Sequence, residues 1–368
     1  MADVVVVGGG VIGLSIAWEL ARSGRRVEVL EQGRVGQEAS WAGAGMLPPG
    51  SLAGAQTGEA RLRAFSHLQW PDWTVRLAAE TGIDNGYRNC GSIDVSVGES
   101  LSGEIERWSA EGISVQSLSG DGAREVEPAL SDRITDAYRL GEFAQVRNPR
   151  HVKALESACV KAGVQIRAGQ GALGWRIENG DAAAVLTSSG EVRASQFVIA
   201  SGAWSRGLLE AAGQTSAIEP VRGQIVLLKT RRSPVSHVLQ VGPRYLVPRP
   251  DGRILIGSTE ERVGFVKQNT VDGVSILLKF ATSLVPALKD ADVERCWSGL
   301  RPGSVGDVPL LGRVPQVGNL FVAAGHFRSG LQMSPGTAVL MRQLMMGQEP
   351  GIPIEPHMVD RPIERLPE

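Results

Sequence analysis

The first 31 residues change from one hydrophobic period to another, and the pattern predicts three secondary-structure elements. Val4 to Val7 form an unbroken β-branched run, which is typical of a parallel strand covered on both faces. Ile12, Ile16 and Leu20 then recur at intervals of four, so the next segment is predicted to be a helix with one apolar face. Residues 26–31 contain three aliphatic side chains and predict a second strand. The chain is therefore predicted to open with a strand–helix–strand unit.

A glycine-rich turn joins the first strand to the helix. Gly8 suits a tight turn, Gly10 allows the backbone to approach a pyrophosphate, and Gly13 allows the helix to pack closely on the strand. Glu31 lies 18 residues after Gly13, near the spacing at which a carboxylate meets a ribose hydroxyl pair. The helix N-terminus adds free N–H groups and a positive dipole for the diphosphate. Together these features predict a binding site for an adenine dinucleotide.

Two later segments repeat the pattern of an apolar strand followed by glycine. Residues 197–202 predict a buried strand that leads into a helix at 205–212, and residues 320–325 predict another strand. For the helix after this last strand, Ser334 and Pro335 are predicted as the N-cap and the first position. An antiparallel sheet is predicted from four strand-like stretches separated by turn residues: 223–229, 244–248, 253–258 and 294–300.

The length of 368 residues and these patterns predict an α/β protein of two domains. The first is a discontinuous Rossmann-like domain, predicted to bind the dinucleotide, built from residues 1–85, 142–216 and 302–368. The two insertions, residues 86–141 and 217–301, are predicted to form an α+β substrate domain on a mainly antiparallel sheet.

Composition excludes several classes of function. The 38 Lys and Arg residues balance 39 Asp and Glu residues, so neither nucleic acid nor an anionic membrane is a predicted partner. No apolar run reaches membrane-spanning length, and the start of the chain lacks an export signal, so a cytoplasmic location is predicted. Cys90, Cys159 and Cys296 are far apart and odd in number, which predicts neither a disulfide framework nor a metal site.

Six motifs, in order along nearly the full length, are shared with one family. The chain resembles the glycine oxidase branch of the D-amino-acid oxidase family, which are FAD-dependent amine oxidoreductases. The motifs are GGGVIG with Glu31, Ala44-Gly45-Met46-Leu47, residues 198–204, Tyr245-Leu246-Val247-Pro248-Arg249, residues 297–303 and residues 324–330.

The resemblance implies FAD as the cofactor and a set of residues that hold it. Besides the glycines, the residues matching the ADP half are Val11, Ile12, Glu31 and Gln32, with Ala172 at the adenine end. Those matching the path to the isoalloxazine ring are Ala39, Ser40, Ala44, Gly45 and Met46. Those matching the pyrimidine edge of the flavin are His326, Phe327, Arg328, Ser329, Gly330, Leu331 and Gln332.

The resemblance also implies a reaction, the oxidative deamination of glycine and of other small amines such as sarcosine or D-alanine. The products would be the 2-oxo acid, ammonia and hydrogen peroxide, with hydride passing from the substrate Cα to flavin N5 and oxygen as acceptor. In bacteria, such enzymes feed thiamine biosynthesis.

Three residues are predicted to hold the substrate. Arg301 is predicted to clamp the carboxylate, because a planar guanidinium offers two parallel charge-assisted hydrogen bonds, and the resemblance places an arginine there too. Tyr245 would make a second contact, and Arg328 would add positive potential. No side chain is predicted as a general acid or base, because a substrate that enters with a neutral amine needs none.

Several alternatives stay open. The sequence poorly distinguishes a glycine oxidase from a D-amino-acid oxidase or a sarcosine or proline dehydrogenase on the same scaffold. One methyl group of the substrate in an apolar pocket changes the binding free energy by only ~1–3 kcal/mol. A non-catalytic dinucleotide-binding subunit would need neither Arg301 nor Tyr245. Cys296 lies near the position at which the related sarcosine oxidases bond flavin covalently, and Pro243 lies where other members often have a polar side chain. The covalent link, the preferred amine, the electron acceptor and a homo-oligomer are therefore left open.

Overall fold

The computed structural model describes residues 1–361, and two sheets dominate it. The six-stranded sheet has five parallel strands and one antiparallel strand at its edge. Its strand order reverses beside the first strand of the chain, so a crevice opens there at the carboxyl ends of the strands, where ligands bind in open α/β sheets. In spatial order the strands are Leu310–Arg313, Leu320–Ala324, Ala194–Ile199, Ala2–Val7, Val27–Glu31 and Gln165–Ala168.

The eight-stranded sheet is antiparallel except for one parallel pair, Val238–Val241 with Ser92–Ser96. The predicted α/β class with a mainly antiparallel second sheet is confirmed. The predicted domain boundaries stay a prediction, although each large sheet draws its strands from the stretches assigned to it, the last strand ending two residues late at Gly303. In spatial order the strands are Asp292–Gly303, Glu219–Lys229, Arg253–Gly257, Arg244–Pro248, Val238–Val241, Ser92–Ser96, Asp136–Leu140 and Val115–Ser119.

Two small sheets and the helices complete the described part of the chain. The small sheets consist of Ala172–Glu178, Asp181–Thr187 and Gly190–Val192, and of Met46–Leu47, Ala144–Gln145 and Arg88–Asn89. The α-helices are Val11–Arg22, Ala39–Ala42, Gly58–Thr81, Ser102–Ala110, Gly120–Val126, Asn148–Lys161, Ser205–Glu210, Val271–Leu284 and Gly330–Met345. Within residues 1–361, no helix is both long and apolar enough to cross a bilayer.

The first strand shows why its apolar run is unbroken. Val4 and Val6 point into a core formed with the long helices, whereas Val5 and Val7 point into a second core beneath the small three-stranded sheet of residues 172–192. Successive strand residues face opposite sides, so a sheet covered on both faces needs apolar residues at every position. All four side chains are buried.

The predicted start of the last helix is wrong. The helix begins at Gly330, and Pro335 lies inside it rather than at its first position. Proline lacks the N–H that would bond the carbonyl oxygen of Leu331 four residues earlier. The hydroxyl of Ser334 donates to that oxygen instead, at 2.8 Å. Ser334 and Pro335, which suggested an N-cap, therefore lie in the helix interior, where the serine hydroxyl replaces the hydrogen bond that the proline cannot make.

Candidate functional site

A cavity of about 620 Å³ extends from the glycine turn to the eight-stranded sheet. Its volume lies within the range of about 300–1,000 Å³ that small-molecule and cofactor sites occupy. The walls come from the glycine turn, the segment 30–46, the segment 200–208, the strand that ends at Gly303 and the turn before the last helix. The cavity thus opens at the crevice where the order of the parallel strands reverses.

Each predicted glycine of the turn has a distinct structural reason. Gly8 has φ of +115°, and a Cβ there would collide with the carbonyl of Ala200. A Cβ on Gly13 would collide with the carbonyl oxygen of Gly8, so Gly13 packs behind the cavity wall rather than lining it. Gly10 is extended and lines the cavity, and a Cβ there would meet only the Ser40 hydroxyl, at 3.1 Å. Gly10 therefore keeps space open for a ligand.

Glu31 is buried beside this turn. One carboxylate oxygen accepts from the N–H of Gly9 at 2.8 Å, and the other accepts from the N–H of Gly33 at 2.7 Å. A carboxylate has about four acceptor positions, so two remain for ribose hydroxyls. Gln32 and Ala172 line the same end of the cavity. The predicted nucleotide residues are therefore brought together.

The middle of the cavity is lined by Ala39, Ser40, Ala44, Gly45 and Met46. These are the five residues predicted to lie on the path to the isoalloxazine ring. The hydroxyl of Ser40 accepts from the N–H of Val11 at 2.8 Å, and Val11 and Ile12 place the helix N-terminus at the wall. The short side chains of this set, all but Met46, leave the backbone close to the cavity.

Asn148 also lines the cavity, and no motif along the chain predicts it. Its Nδ2 donates to the carbonyl oxygen of Ser40 at 3.0 Å, and its buried Oδ1 has no hydrogen-bond partner among residues 1–361. A buried polar atom without a partner costs about 1–3 kcal/mol, so this atom is suited to a ligand's donor.

Arg301 and Tyr245 form the far end of the cavity, on the eight-stranded sheet. The guanidinium of Arg301 donates to the hydroxyl of Ser258 at 2.5 Å and to the carbonyl oxygen of Thr259 at 3.3 Å. It lies over Gly223, where any Cβ would occupy its place, and the phenol of Tyr245 lies over Gly257 in the same way. Two glycines on neighbouring strands thus make room for the two predicted carboxylate contacts.

Arg328 lines the cavity but also forms an ion pair with Glu260, and its side chain is 46% exposed. Its charge is therefore partly neutralised. His326 is buried, its Nε2 lies 3.0 Å from the Thr337 hydroxyl, and burial lowers the pKa of its imidazole to about 3. His326 is accordingly neutral near pH 7.

Phe327, Gly330 and Leu331 line the cavity as well, whereas Ser329 and Gln332 do not. Gln332 is buried, and its Nε2 donates to the carbonyl oxygen of Pro48 at 2.8 Å. Gln332 therefore ties the last helix to the segment behind the cavity, and its predicted cofactor contact receives no support from the geometry.

The loop between the strand Arg253–Gly257 and the helix Val271–Leu284 contacts two residues of the cavity wall that come from distant segments of the chain. Phe265 packs on Trp204, a lining residue, with ring centroids 5.3 Å apart. Lys267 forms an ion pair of 2.8 Å with Glu38, which also lines the cavity. Residue spacing alone does not reveal such contacts between distant segments.

The chain is similar in sequence and in fold to proteins that are already known. The sequence profile of the family described as "FAD dependent oxidoreductase" matches residues 3–344. The glycine oxidase of Pseudomonas putida is 36% identical over 357 residues, covering 96% of this chain and 97% of that protein. The bifunctional protein ThiO/ThiG of Synechocystis sp. is 35% identical and is matched over 52% of its length, 95% of this chain being covered.

Among solved structures, the glycine oxidase from Geobacillus kaustophilus superimposes with a TM-score of 0.93 and 33% identity, covering 98% of this chain and 99% of that one. The predicted cofactor follows from the family match, and the resemblance inferred from the six motifs is confirmed. The chain belongs to the FAD-dependent oxidoreductases of the D-amino-acid oxidase family.

Proposed function

We propose that this protein is an FAD-dependent glycine oxidase, which deaminates glycine and related small amines with oxygen as acceptor. The observation that carries the proposal is the pair Arg301 and Tyr245 at one end of a cavity whose other end is the glycine turn and Glu31. The names of the similar proteins from Pseudomonas putida and Geobacillus kaustophilus support glycine as the substrate. A non-catalytic subunit would have no need of the two carboxylate contacts.

The residues present fit FAD. Gly10 leaves its Cβ position open toward the cavity, the helix N-terminus faces the place for a diphosphate, and Glu31 keeps free acceptor positions for a ribose. The free Oδ1 of Asn148 lies farther along the same wall. When bound, FAD would supply the two-electron acceptor for the hydride that leaves the substrate Cα, and oxygen would accept those electrons in turn.

The side chains of this protein bind and orient the substrate. Arg301 presents two guanidinium N–H groups to the carboxylate, and Ser258 keeps that guanidinium in one position. The hydroxyl of Tyr245, a residue only 8% exposed, adds a second donor. Donors held in a partly dry cavity bind a carboxylate more strongly than they would in water, and they fix the position of its Cα.

An amine panel tests the proposal. Hydrogen peroxide is measured for the yellow, FAD-loaded protein with glycine, sarcosine, D-alanine and D-proline. Glycine is expected to yield peroxide and ammonia in equal amounts. A protein that reduces a quinone but forms no peroxide, or that prefers D-proline strongly, would contradict the glycine oxidase assignment. The cytoplasmic location stays a prediction, and the oligomeric state stays open.

Replacing Glu31 by glutamine should weaken FAD binding. The variant loses the charged acceptor, and hydrogen bonds to charged groups are worth about 1.5–3 kcal/mol, so Kd for FAD should rise roughly ten- to 150-fold. Glu28 is the matched control, because it lies in the same strand, is buried and pairs with Arg167 outside the cavity. Titration of apoprotein with FAD measures both variants, and equal Kd values for Glu31→Gln and the wild type would remove Glu31 from the cofactor site.

FAD is expected to be held without a covalent bond. Cys296 does not line the cavity and packs instead against the core on the other face of the sheet, with Val226 opposite it. Burial also raises the pKa of its thiol, which disfavours the reactive thiolate. Acid precipitation of the holoprotein should therefore leave all the yellow colour in the supernatant. Flavin in the pellet that disappears in Cys296→Ser would show the opposite.

A further inference from the structure

A row of polar side chains crosses the eight-stranded sheet and ends in the cavity. Tyr138 lies directly opposite Asp94, Asp94 opposite Gln240, and Gln240 opposite Tyr245 in four neighbouring strands. Residues directly opposite on neighbouring strands share one face and lie within about 5 Å of each other. Gln240 lines the cavity beside Tyr245, whereas Asp94 and Tyr138 lie behind it. We call Tyr138, Asp94 and Gln240 the polar row.

Hydrogen bonds hold Gln240 in one orientation. Its Nε2 donates to Asp94 Oδ2 at 3.0 Å, and the same carboxylate accepts from the Ser92 hydroxyl at 3.3 Å. Tyr138, opposite Asp94, accepts from Trp108 Nε1 at 3.2 Å through its hydroxyl oxygen. A carboxylate can only accept, so the amide nitrogen of Gln240 must face Asp94. The amide oxygen is the atom left for the cavity that Gln240 lines.

This oxygen supplies an acceptor beside groups that the proposed function uses as donors. The guanidinium groups of Arg301 and Arg328 can only donate, and the hydroxyl of Tyr245 donates when it binds a carboxylate. An amino acid carries N–H groups as well and needs an acceptor for them. We propose that Gln240, oriented by Asp94, recognises the amino group of the substrate through its amide oxygen. This inference rests on the proposed function.

A neutral acceptor suits the proposed reaction better than a carboxylate. A carboxylate beside the amine would stabilise the ammonium form and raise the pKa of the substrate. An amide oxygen binds an N–H group without adding charge, so the amine can lose its extra proton before oxidation. Asp94, which is charged, lies one strand farther away and acts only through Gln240. Gln240 is therefore a specificity residue, and Asp94 is a positioning residue.

Glycine and propionate form a matched pair of ligands for the test, because propionate replaces the amino group with methyl and cannot be deaminated. For glycine, the saturation constant and the limiting rate are taken from bleaching of the holoprotein under nitrogen. For propionate, Kd is taken from the change in the visible spectrum. In Gln240→Met the glycine constant should rise about three- to tenfold, the value of one hydrogen bond, while propionate Kd stays within about twofold.

Two further variants separate positioning from folding. Asp94→Asn should weaken the binding of glycine but not of propionate. The double variant Asp94→Asn/Gln240→Met should bind glycine no more weakly than Gln240→Met alone, because Asp94 acts through Gln240. Gln116→Met is the control, since Gln116 is an exposed glutamine of the same sheet. Burial raises the pKa of Asp94 to about 6, so its ionised form lowers stability above that pH. Asp94→Asn is therefore expected to be no less stable than wild type at pH 8.

The outcomes distinguish this inference from the proposed function. Suppose that glycine bleaches the wild type. If Gln240→Met then weakens the binding of glycine and propionate equally, or weakens the binding of neither, the role of Gln240 is overturned and the proposed function stands. If glycine does not bleach the wild type, the proposed function fails. The same comparison is then made with the amine that the panel identifies and with the acid in which methyl replaces its amino group. If Gln240→Met does not change the ratio of the two binding constants, the inference is overturned there too.

Discussion

Replacing Arg301 by alanine is expected to lower kcat/KM for glycine roughly thirty- to four-thousand-fold. Truncating one partner of a buried, hydrogen-bonded charge pair costs about 2–5 kcal/mol, and each 1.4 kcal/mol is a factor of ten. The guanidinium is fixed by Ser258 and Thr259 and faces the cavity over Gly223, whereas the guanidinium of Arg328 is paired with Glu260. Steady-state peroxide production measures the effect.

Two comparisons show whether this loss is specific. Arg301→Lys keeps the charge but not two parallel donors, so it should fall between alanine and wild type. Arg253→Ala, in the same sheet but two strands away, removes exposed ion pairs with Asp251 and Glu294 and should leave kcat/KM unchanged. FAD content should be normal in all three variants. Turnover near the wild-type value in Arg301→Ala would exclude this residue from substrate binding.

Replacing Gly10 by alanine is expected to cause a loss of FAD from a folded protein. Gly10 has ordinary extended dihedral angles, so alanine is not strained there, and its Cβ meets only the Ser40 hydroxyl at 3.1 Å. The new methyl group instead enters the space for the diphosphate. Overpacking costs about 1–3 kcal/mol, which is roughly five- to 140-fold in Kd for FAD.

The control for Gly10 is Gly141→Ala. A Cβ at Gly141 has no heavy atom within 4 Å, and its φ is not positive. Its FAD affinity should match that of the wild type. Far-ultraviolet circular dichroism should be unchanged in both variants, and tight FAD binding by Gly10→Ala would place the diphosphate elsewhere.

The parts of the fold that depend on local sequence could be predicted. The run Val4 to Val7, the glycines after it and the helix period from Ile12 specify the first unit within a short stretch of chain, so neighbouring residues suffice. The position of the last helix could not be predicted, because Ser334 satisfies the carbonyl that Pro335 leaves free. Serine before proline fits both an N-cap and this interior arrangement, and only the packed structure distinguishes them.

The candidate site divides in the same way. The glycine turn, Glu31 and Arg301 belong to motifs that can be recognised along the chain, whereas Asn148 meets Ser40 across 108 residues of sequence. Gln240 becomes visible only when strand register places it between Asp94 and Tyr245. The roles of Gly223 and Gly257 could not be predicted from the sequence. Each glycine makes room for a side chain of another strand, Arg301 or Tyr245, and this contact depends on how the strands pair.

FAD and the substrate carboxylate are expected to share this cavity, with Arg301 holding the carboxylate. A crystal structure of the FAD-loaded protein with propionate tests this arrangement. We expect both carboxylate oxygens to lie about 2.7–2.9 Å from the guanidinium of Arg301, with the flavin ring beside them. Propionate bound elsewhere, or Arg301 turned away from the flavin into solvent, would contradict the account.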